Sequence, residues 1–276
     1  MSARTDIASV EEKGRGYWVF MDALVLTKRS LMHIPRVPEL LVFATIQPVM
    51  FVLLFRYVFG GAIDVQGGSY VNFLMAGIFV QTVAFGSVAT GIGLAEDMQR
   101  GLIDRFRSLP MSRSAVLIGR IVSDLVRNAF VVLVMLAVGL LVGFRPDANV
   151  FEWLLTGVLL LLVSFSFSWV GAALALRIRS VEAMQSAGFI WLFPLTFASS
   201  AFVETASMPG WLRAFADNQP ITHAVDAVRG LMLNLPPGTL DRPVAHSVWL
   251  AFAWLGGLVV VFVPLAVRLY RRSVTA

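Results

Sequence analysis

The chain has 276 residues, of which 58% are hydrophobic and only 14% charged, where a soluble globular domain carries roughly 25% charged residues. A mean hydropathy of +0.78, gathered into long unbroken apolar runs, excludes an ordinary soluble enzyme. The absence of cysteine excludes a disulfide scaffold, thiolate metal sites and a cysteine nucleophile, and His33, His223 and His246 are too far apart in sequence to suggest a metal cluster.

Residues 1–36 form a charged leader. Within it, Tyr17 to Ile34 place Phe20, Leu24 and Leu31 near one face and Asp22, Arg29 and His33 near another, which predicts an amphipathic helix lying along a membrane surface. Tyr17 and Trp18 suit the headgroup layer, and Pro35 with Pro38 turns the chain toward the first apolar run. No small-residue cleavage site accompanies that run, so it is expected to persist in the mature protein.

Stretches free of Asp, Glu, Lys and Arg, extended where flanking residues permit, predict six spans at about 37–59, 70–95, 116–144, 153–176, 183–203 and 243–267. A helix rising about 1.5 Å per residue needs roughly 20 residues to cross the hydrocarbon layer, and each run approaches or exceeds that. A β-barrel is excluded, because the runs lack two-residue alternation and are about twice a membrane strand in length. The expected fold class is therefore an all-α polytopic membrane protein with six transmembrane helices in one domain, residues 37–276. Arg120, Asp124 and Arg127 fall at the start of the third span, and the spacing of Asp124 and Arg127 predicts a mutual pair near its cytoplasmic end.

Two connectors are more than solvated loops. Glu96 to Asp124 interleaves both charge signs with Leu102, Ile103, Phe106 and Leu109, predicting a short surface helix between breaks at Gly101 and at Leu109–Pro110. Such a helix is one that a partner can grip. Glu204 to Arg242 shows helical apolar spacing over Met208 to Phe215 and again over Ile221 to Leu233, interrupted by Asn218, Gln219 and Pro220. Neither half is long enough to cross, which leaves a re-entrant hairpin or a pair of surface helices as the two readings.

Seventeen of the 22 Lys and Arg residues fall before the first span, between the second and third, after the fourth, and at the C-terminal end. The remaining five are Arg56, Arg145, Arg213, Arg229 and Arg242. Because short cytoplasmic loops retain positive charge, both termini are expected in the cytoplasm. The net charge of +5 is then a topology signal and no argument for nucleic acid as a partner; the lipid bilayer is the expected surroundings.

Three blocks in order resemble a known family: QPVMFVLLFRYVFGGAI at Gln47 to Ile63, RGLIDRFRSLPMSRSAVLIGR at Arg100 to Arg120, and PGWLRAFADNQPITHAVDAVRGL at Pro209 to Leu231. The chain resembles the permease subunits of ABC-2 type exporters, and among them the daunorubicin-resistance-type drug efflux permeases. That resemblance implies a six-span domain with an amphipathic elbow helix, a cytoplasmic coupling helix and short re-entrant helices on the extracellular side. It implies that Arg100, Gly101, Asp104, Arg105, Phe106, Arg107, Leu109 and Pro110 dock on a nucleotide-binding subunit. Where many relatives alternate Glu and Arg before the glycine, this chain reads Glu96, Asp97, Met98, Gln99, Arg100. The resemblance further implies two ABC ATPase subunits and a second permease domain, either a copy or a paralogue. Its setting is a bacterial plasma (inner) membrane, and its cargo amphipathic drug-like or lipid-like molecules moved outward.

The chain itself carries no phosphate-cradling loop, since its only lysines, Lys13 and Lys28, stand in no G-x-x-x-x-G-K-[ST] setting. No cofactor is therefore expected on this chain, with ATP and Mg on the partner ATPase. Nor is there an H-E-x-x-H or G-x-S-x-G motif. Polar residues within spans are candidates for the substrate path: Asn72, Gln81 and Thr82 in the second, Gln185, Ser186, Ser199 and Ser200 in the fifth. Phe189, Trp191, Phe193 and Phe197 suit an apolar cargo. Ordinary helix–helix hydrogen bonds and lipid-facing aromatics are the competing readings of these same residues. A membrane-embedded enzyme acting on lipids would rest on Glu204, Asp217, Asp226 and His223, the one constellation of acids with a histidine. An ion-driven transporter is disfavoured by the absence of an internal repeat.

Overall fold

A computed structural model describes residues 38–61, 69–101, 113–178, 180–233 and 243–273. The leader helix expected over 17–34 and most of the coupling segment, 102–112, lie outside these residues. The described residues form helices and connecting turns with no strand. In order they are α1 (Pro38–Leu54), which continues as a π-helical turn over Phe55–Phe59, α2 (Tyr70–Gln99), α3 (Arg113–Val142), α4 (Val150–Ile178), α5 (Val181–Phe197), α6 (Gly210–Ala216), α7 (Pro220–Met232) and α8 (Val244–Ser273).

Among the described residues, four helices are long and apolar enough to cross a membrane, over Tyr70–Gln99, Leu117–Val142, Val150–Ile178 and Val244–Tyr270. α1 and α5 are apolar helices of 17 residues each, α1 being prolonged by its π-helical turn. Local chemistry marks several of the boundaries. Ser69 and Ser180 accept hydrogen bonds from the first-turn amides of α2 and α5. Asn149, just before α4, and Glu152 in its first turn bond reciprocally to each other's backbone amides, which satisfies two donors that a helix start otherwise leaves open.

α2 and α4 are the central pair, packed against each other and largely enclosed, with α8 and α7 against α4 and with α3 and α5 against α2. α3 and α8 leave much of their apolar surface outward, including Leu133, Leu141, Trp249 and Val260. Small polar groups rather than charges join α4 to its neighbours: Thr90 to Ser168 at 3.2 Å between α2 and α4, and Asn128 Nδ2 donating to Ser164 Oγ at 2.7 Å between α3 and α4. Ser166 Oγ donates to the Leu255 carbonyl at 3.2 Å, which fixes α8 against α4. Such bonds satisfy side chains where no water is at hand, and each contributes about 1 kcal/mol.

α5 ends at Phe197, short of the fifth span expected to reach 203. The reason lies in the turn that follows. Ser199 Oγ donates back to the Thr196 carbonyl, while Gln219, at the head of α7, donates its amide to the carbonyls of Leu195 at 3.0 Å and Ala198 at 3.3 Å. A remote side chain thus satisfies carbonyls that the helix end leaves open. The expected helix–break–helix after α5 is present as α6 and α7, with the break at Asp217, Asn218 and Gln219. α7 is no surface helix: Ile221, Thr222, His223, Ala224, Val225, Val228 and Arg229 are all buried, and it packs on α2, α4 and α8.

Candidate functional site

A cavity of about 290 Å³ opens near the middle of α2, where α1, α3 and α5 converge on it. α2 contributes Gln81, Thr82 and Phe85; α1 contributes Gln47, Pro48 and Phe51; α3 contributes Arg127 and Asn128; α5 contributes Gln185 and Phe189. Of the residues expected on a substrate path, Gln81, Thr82, Gln185 and Phe189 thus share one cavity. Phe193 stands beside it, its ring 5.4 Å from Phe85 and 5.5 Å from Phe189. Asn72 lies elsewhere: its Oδ1 accepts from the Arg145 amide at 2.9 Å and fixes the α3–α4 connection. Ser199 and Ser200 serve the turn after α5, and Trp191 stacks on Phe167 of α4 at 5.6 Å, away from the cavity.

From the cavity an unbroken run of phenylalanine rings leads along α5 and α1. Phe193 meets Phe197 at 5.3 Å, Phe197 meets Phe202 at 5.0 Å, Phe202 meets Phe55 at 4.6 Å, and Phe55 meets Phe59 at 5.2 Å. Sequence reasoning named the rings at 189, 193 and 197 and missed those at 51, 55, 59, 85 and 202. A signal was present for part of them: Phe51, Phe55 and Phe59 recur every four residues, as Phe189, Phe193 and Phe197 do, and that spacing stacks side chains on one helix face. That these two faces would meet through Phe202 depends on the turn after α5, which no periodicity encodes.

On the opposite side, a ladder of charges climbs from the end of α2 to the cavity wall. Asp97 pairs with Arg120, Arg120 Nε stands 4.0 Å from Asp124, and Arg127 pairs with Asp124 at 3.1 Å. Arg127 also donates to the Gly86 carbonyl at 3.4 Å. The Asp124–Arg127 pair expected from sequence is present, but it reaches further than the first turns of α3, since Gly86 lies near the middle of α2. Two atoms in the ladder, Arg120 Nε and Asp124 Oδ2, are buried without a hydrogen-bond partner among the described residues. Gly93 makes the ladder possible: a Cβ there would fall on the Arg120 guanidinium.

At the foot of this ladder stand the described members of the expected coupling surface. Arg100, largely exposed, pairs loosely with Glu96 at 3.6 Å, and Gly101 follows α2 at a φ of +65°, a left-handed turn that costs glycine little. Asp104, Arg105, Phe106, Arg107, Leu109 and Pro110 lie outside the described residues.

A second polar centre holds α7 in place. Arg229, buried to 3% exposure, donates to the Ser200 carbonyl at 2.6 Å, to the Phe73 carbonyl at 3.3 Å and to Asp226 at 3.1 Å, with its guanidinium 3.6 Å over the Phe73 ring. Burial pulls its pKa down to about 10, with Asp226 and Glu204 opposing, so it remains a cation at neutral pH. Ser200 Oγ donates to the same Asp226 oxygen at 2.6 Å. Asp217 is paired with Arg213 on α6 instead. Asp217 and Asp226, two of the acids considered for a lipid-modifying centre, thus have separate partners, and among the described residues no group of three His, Cys, Asp or Glu is placed to hold a metal.

Comparison with known proteins identifies the family. The family model for ABC-2 type transporter matches residues 22–233. The chain is 36% identical over 245 residues to a daunorubicin resistance ABC transporter permease protein of Streptomyces coeruleorubidus, covering 89% of this chain and 84% of the relative. It is 28% identical over 259 residues to a probable doxorubicin resistance ABC transporter permease protein of Mycobacterium tuberculosis, covering 91% and 89%. A putative transport permease of the alga Porphyra purpurea is 24% identical over 222 residues, covering 79% and 76%. With the family's pattern matched from before α1 to the end of α7, and four helices of membrane-crossing length, this chain belongs to the ABC-2 type transporter family as a multi-pass membrane protein.

Proposed function

We propose that this chain is the membrane subunit of an ATP-driven exporter of amphipathic small molecules, with drugs among its cargo. The observation that carries the proposal is the family match over most of the chain, joined by extended likeness to permeases named for daunorubicin and doxorubicin resistance. On this reading α1, α2, α3, α4, α5 and α8 are six spans, the α6–α7 pair is re-entrant from the outer side, and both termini face the cytoplasm of a bacterial cell. ATP and Mg are bound by two copies of a separate ABC ATPase, which grip Arg100 to Pro110. The charge ladder supports the route of coupling, because it begins at Asp97, three residues before Arg100, and ends at Arg127 on the cavity wall.

A second permease domain, a copy or a paralogue, completes the path. Gln47 on α1 and Gln185 and Ser186 on α5 are exposed on this chain, and lipid would leave their polar groups unsatisfied. Covering by a second domain places the cavity beside the line between the two. ATP-driven closure of the ATPase subunits then shifts the equilibrium between two arrangements of the pair, which requires contacts that differ between the states.

The test is reconstitution of the chain with its candidate ABC ATPase in vesicles. Asp104→Ala with Arg107→Ala is expected to abolish ATP-dependent export while hydrolysis by the isolated ATPase stays normal. Undiminished export by the well-expressed double variant, or no association with any ABC ATPase, overturns the reading.

A further inference from the structure

Along α8, Gly257, Val261, Leu265, Arg268 and Arg272 recur three or four residues apart, a spacing that sets them on one face of the helix. All five are exposed, Val261 to 58% and Leu265 to 41%, and the space where a side chain would stand at Gly257 is open. Ala266 and Tyr270 turn the other way, buried in one cluster with Trp169, Ala173 and Leu176 of α4. At about 1.5 Å per residue, Gly257 stands about 16 Å along the axis from Arg268, close to half of the roughly 30 Å hydrocarbon layer. The face is thus an apolar lane one leaflet deep that ends in two neighbouring guanidinium groups. Two like charges four residues apart repel, and α8 carries no Asp or Glu to offset them. Arg177, at the end of α4, is the contrast. It is exposed too, but Ala173 and Val170, one and two turns before it, are buried, so no lane runs beneath it.

We infer that this face of α8 is a seat for an anionic phospholipid, with an acyl chain along Val261 and Leu265 and the phosphate between Arg268 and Arg272. The inference needs only that α8 crosses the bilayer and stands apart from the exporter reading; the topology drawn above makes the leaflet the inner one. A guanidinium fork suits phosphate oxygens, and a head group of net negative charge adds to that contact, whereas the ammonium of a zwitterionic lipid opposes it. Lipid rather than a second permease domain is the occupant, because α8 packs chiefly on α4 and α7 and not on α1 or α5, whose exposed polar groups call for that domain. The face itself holds no polar group short of the two arginines.

The test places a bimane label at a single Val260→Cys, beside the lane and 74% exposed, in a chain otherwise free of cysteine. The full chain is set in phosphatidylcholine nanodiscs, and quenching is measured with small fractions of phosphatidylglycerol or phosphatidylcholine that carry the same nitroxide on the acyl chain. The phosphatidylglycerol probe is expected to associate about tenfold more strongly than the phosphatidylcholine probe. Arg268→Gln with Arg272→Gln is expected to bring that ratio to about one, and Arg177→Gln to leave it unchanged. Free glycerol phosphate is expected not to relieve the quenching, because it lacks the chain that the lane takes. Equal association of the two probes overturns the inference, and this comparison needs no variant of the arginines. A preference that survives in the folded double variant, that falls as far with Arg177→Gln, or that glycerol phosphate abolishes overturns it as well, the last two pointing to diffuse surface charge and to a free anion site. Because both leaflets of a nanodisc hold the same lipids, a reversed topology leaves this result in place and refutes the leaflet assignment alone.

Discussion

At the residue scale, two arginines that look alike in sequence have different consequences. Arg229 is enclosed, and its guanidinium joins α7 to the Phe73 carbonyl of α2 and the Ser200 carbonyl after α5. Arg229→Ala leaves Asp226 partly buried and both carbonyls without this donor, so a loss of about 3–5 kcal/mol is expected, read as a fall in thermal unfolding temperature in detergent. Arg229→Lys keeps the charge but not the planar fork, and is expected to recover only part of that loss. Arg213, near half exposed, forms an i, i+4 pair with Asp217 that solvent screens. Arg213→Ala is expected to change stability by about 0–1 kcal/mol in the same measurement. Net charge and helix position do not separate these two residues; burial does.

At the scale of elements, junctions carry more than the helices they join. Gln219 starts α7 by accepting from the Ile221 amide, and it ends α5 by donating to Leu195 and Ala198. Gln219→Leu removes both functions together, and a loss of about 1–3 kcal/mol is expected, with hydrogen exchange rising first at Leu195 to Ala201. One point of the α2–α3 contact depends on Gly93. Gly93→Leu places a side chain where the Arg120 guanidinium lies and separates Arg120 from Asp97. The expected result is a folded chain whose ATPase association persists while export falls, measured in reconstituted vesicles. A variant exporting at the wild-type rate shows that the charge ladder plays no part in coupling.

At the scale of the whole molecule, the arrangement of spans is open to direct measurement because the chain has no cysteine of its own. A single Asn149→Cys in the α3–α4 connection is expected to react with an impermeant maleimide on intact cells. A single Ala276→Cys is expected to react only after the membrane is opened. The reverse pattern inverts the topology drawn from the cation distribution. The molecule otherwise places its two enclosed helices, α2 and α4, at the centre and its outward apolar helices, α3 and α8, at the margins, as a bilayer requires of chains that have no water to bury surface against.

Much of this was legible in the residues before any coordinates. Apolar runs of crossing length, cations divided unequally between connectors, and the Asn218–Gln219–Pro220 break are local patterns, and local patterns suffice for elements whose backbone must satisfy itself within the membrane. The site was legible only in part. Gln81, Gln185 and Phe189 announce themselves as polar or aromatic residues in spans, but so does Asn72, which proves to serve a connection. The depth reached by Arg127, the space kept by Gly93 and the passage of rings through Phe202 each depend on which helices stand side by side. Helix period and hydropathy fix what one segment can do alone, whereas partner choice is a property of packing between segments far apart in the chain. There tertiary structure alone decides.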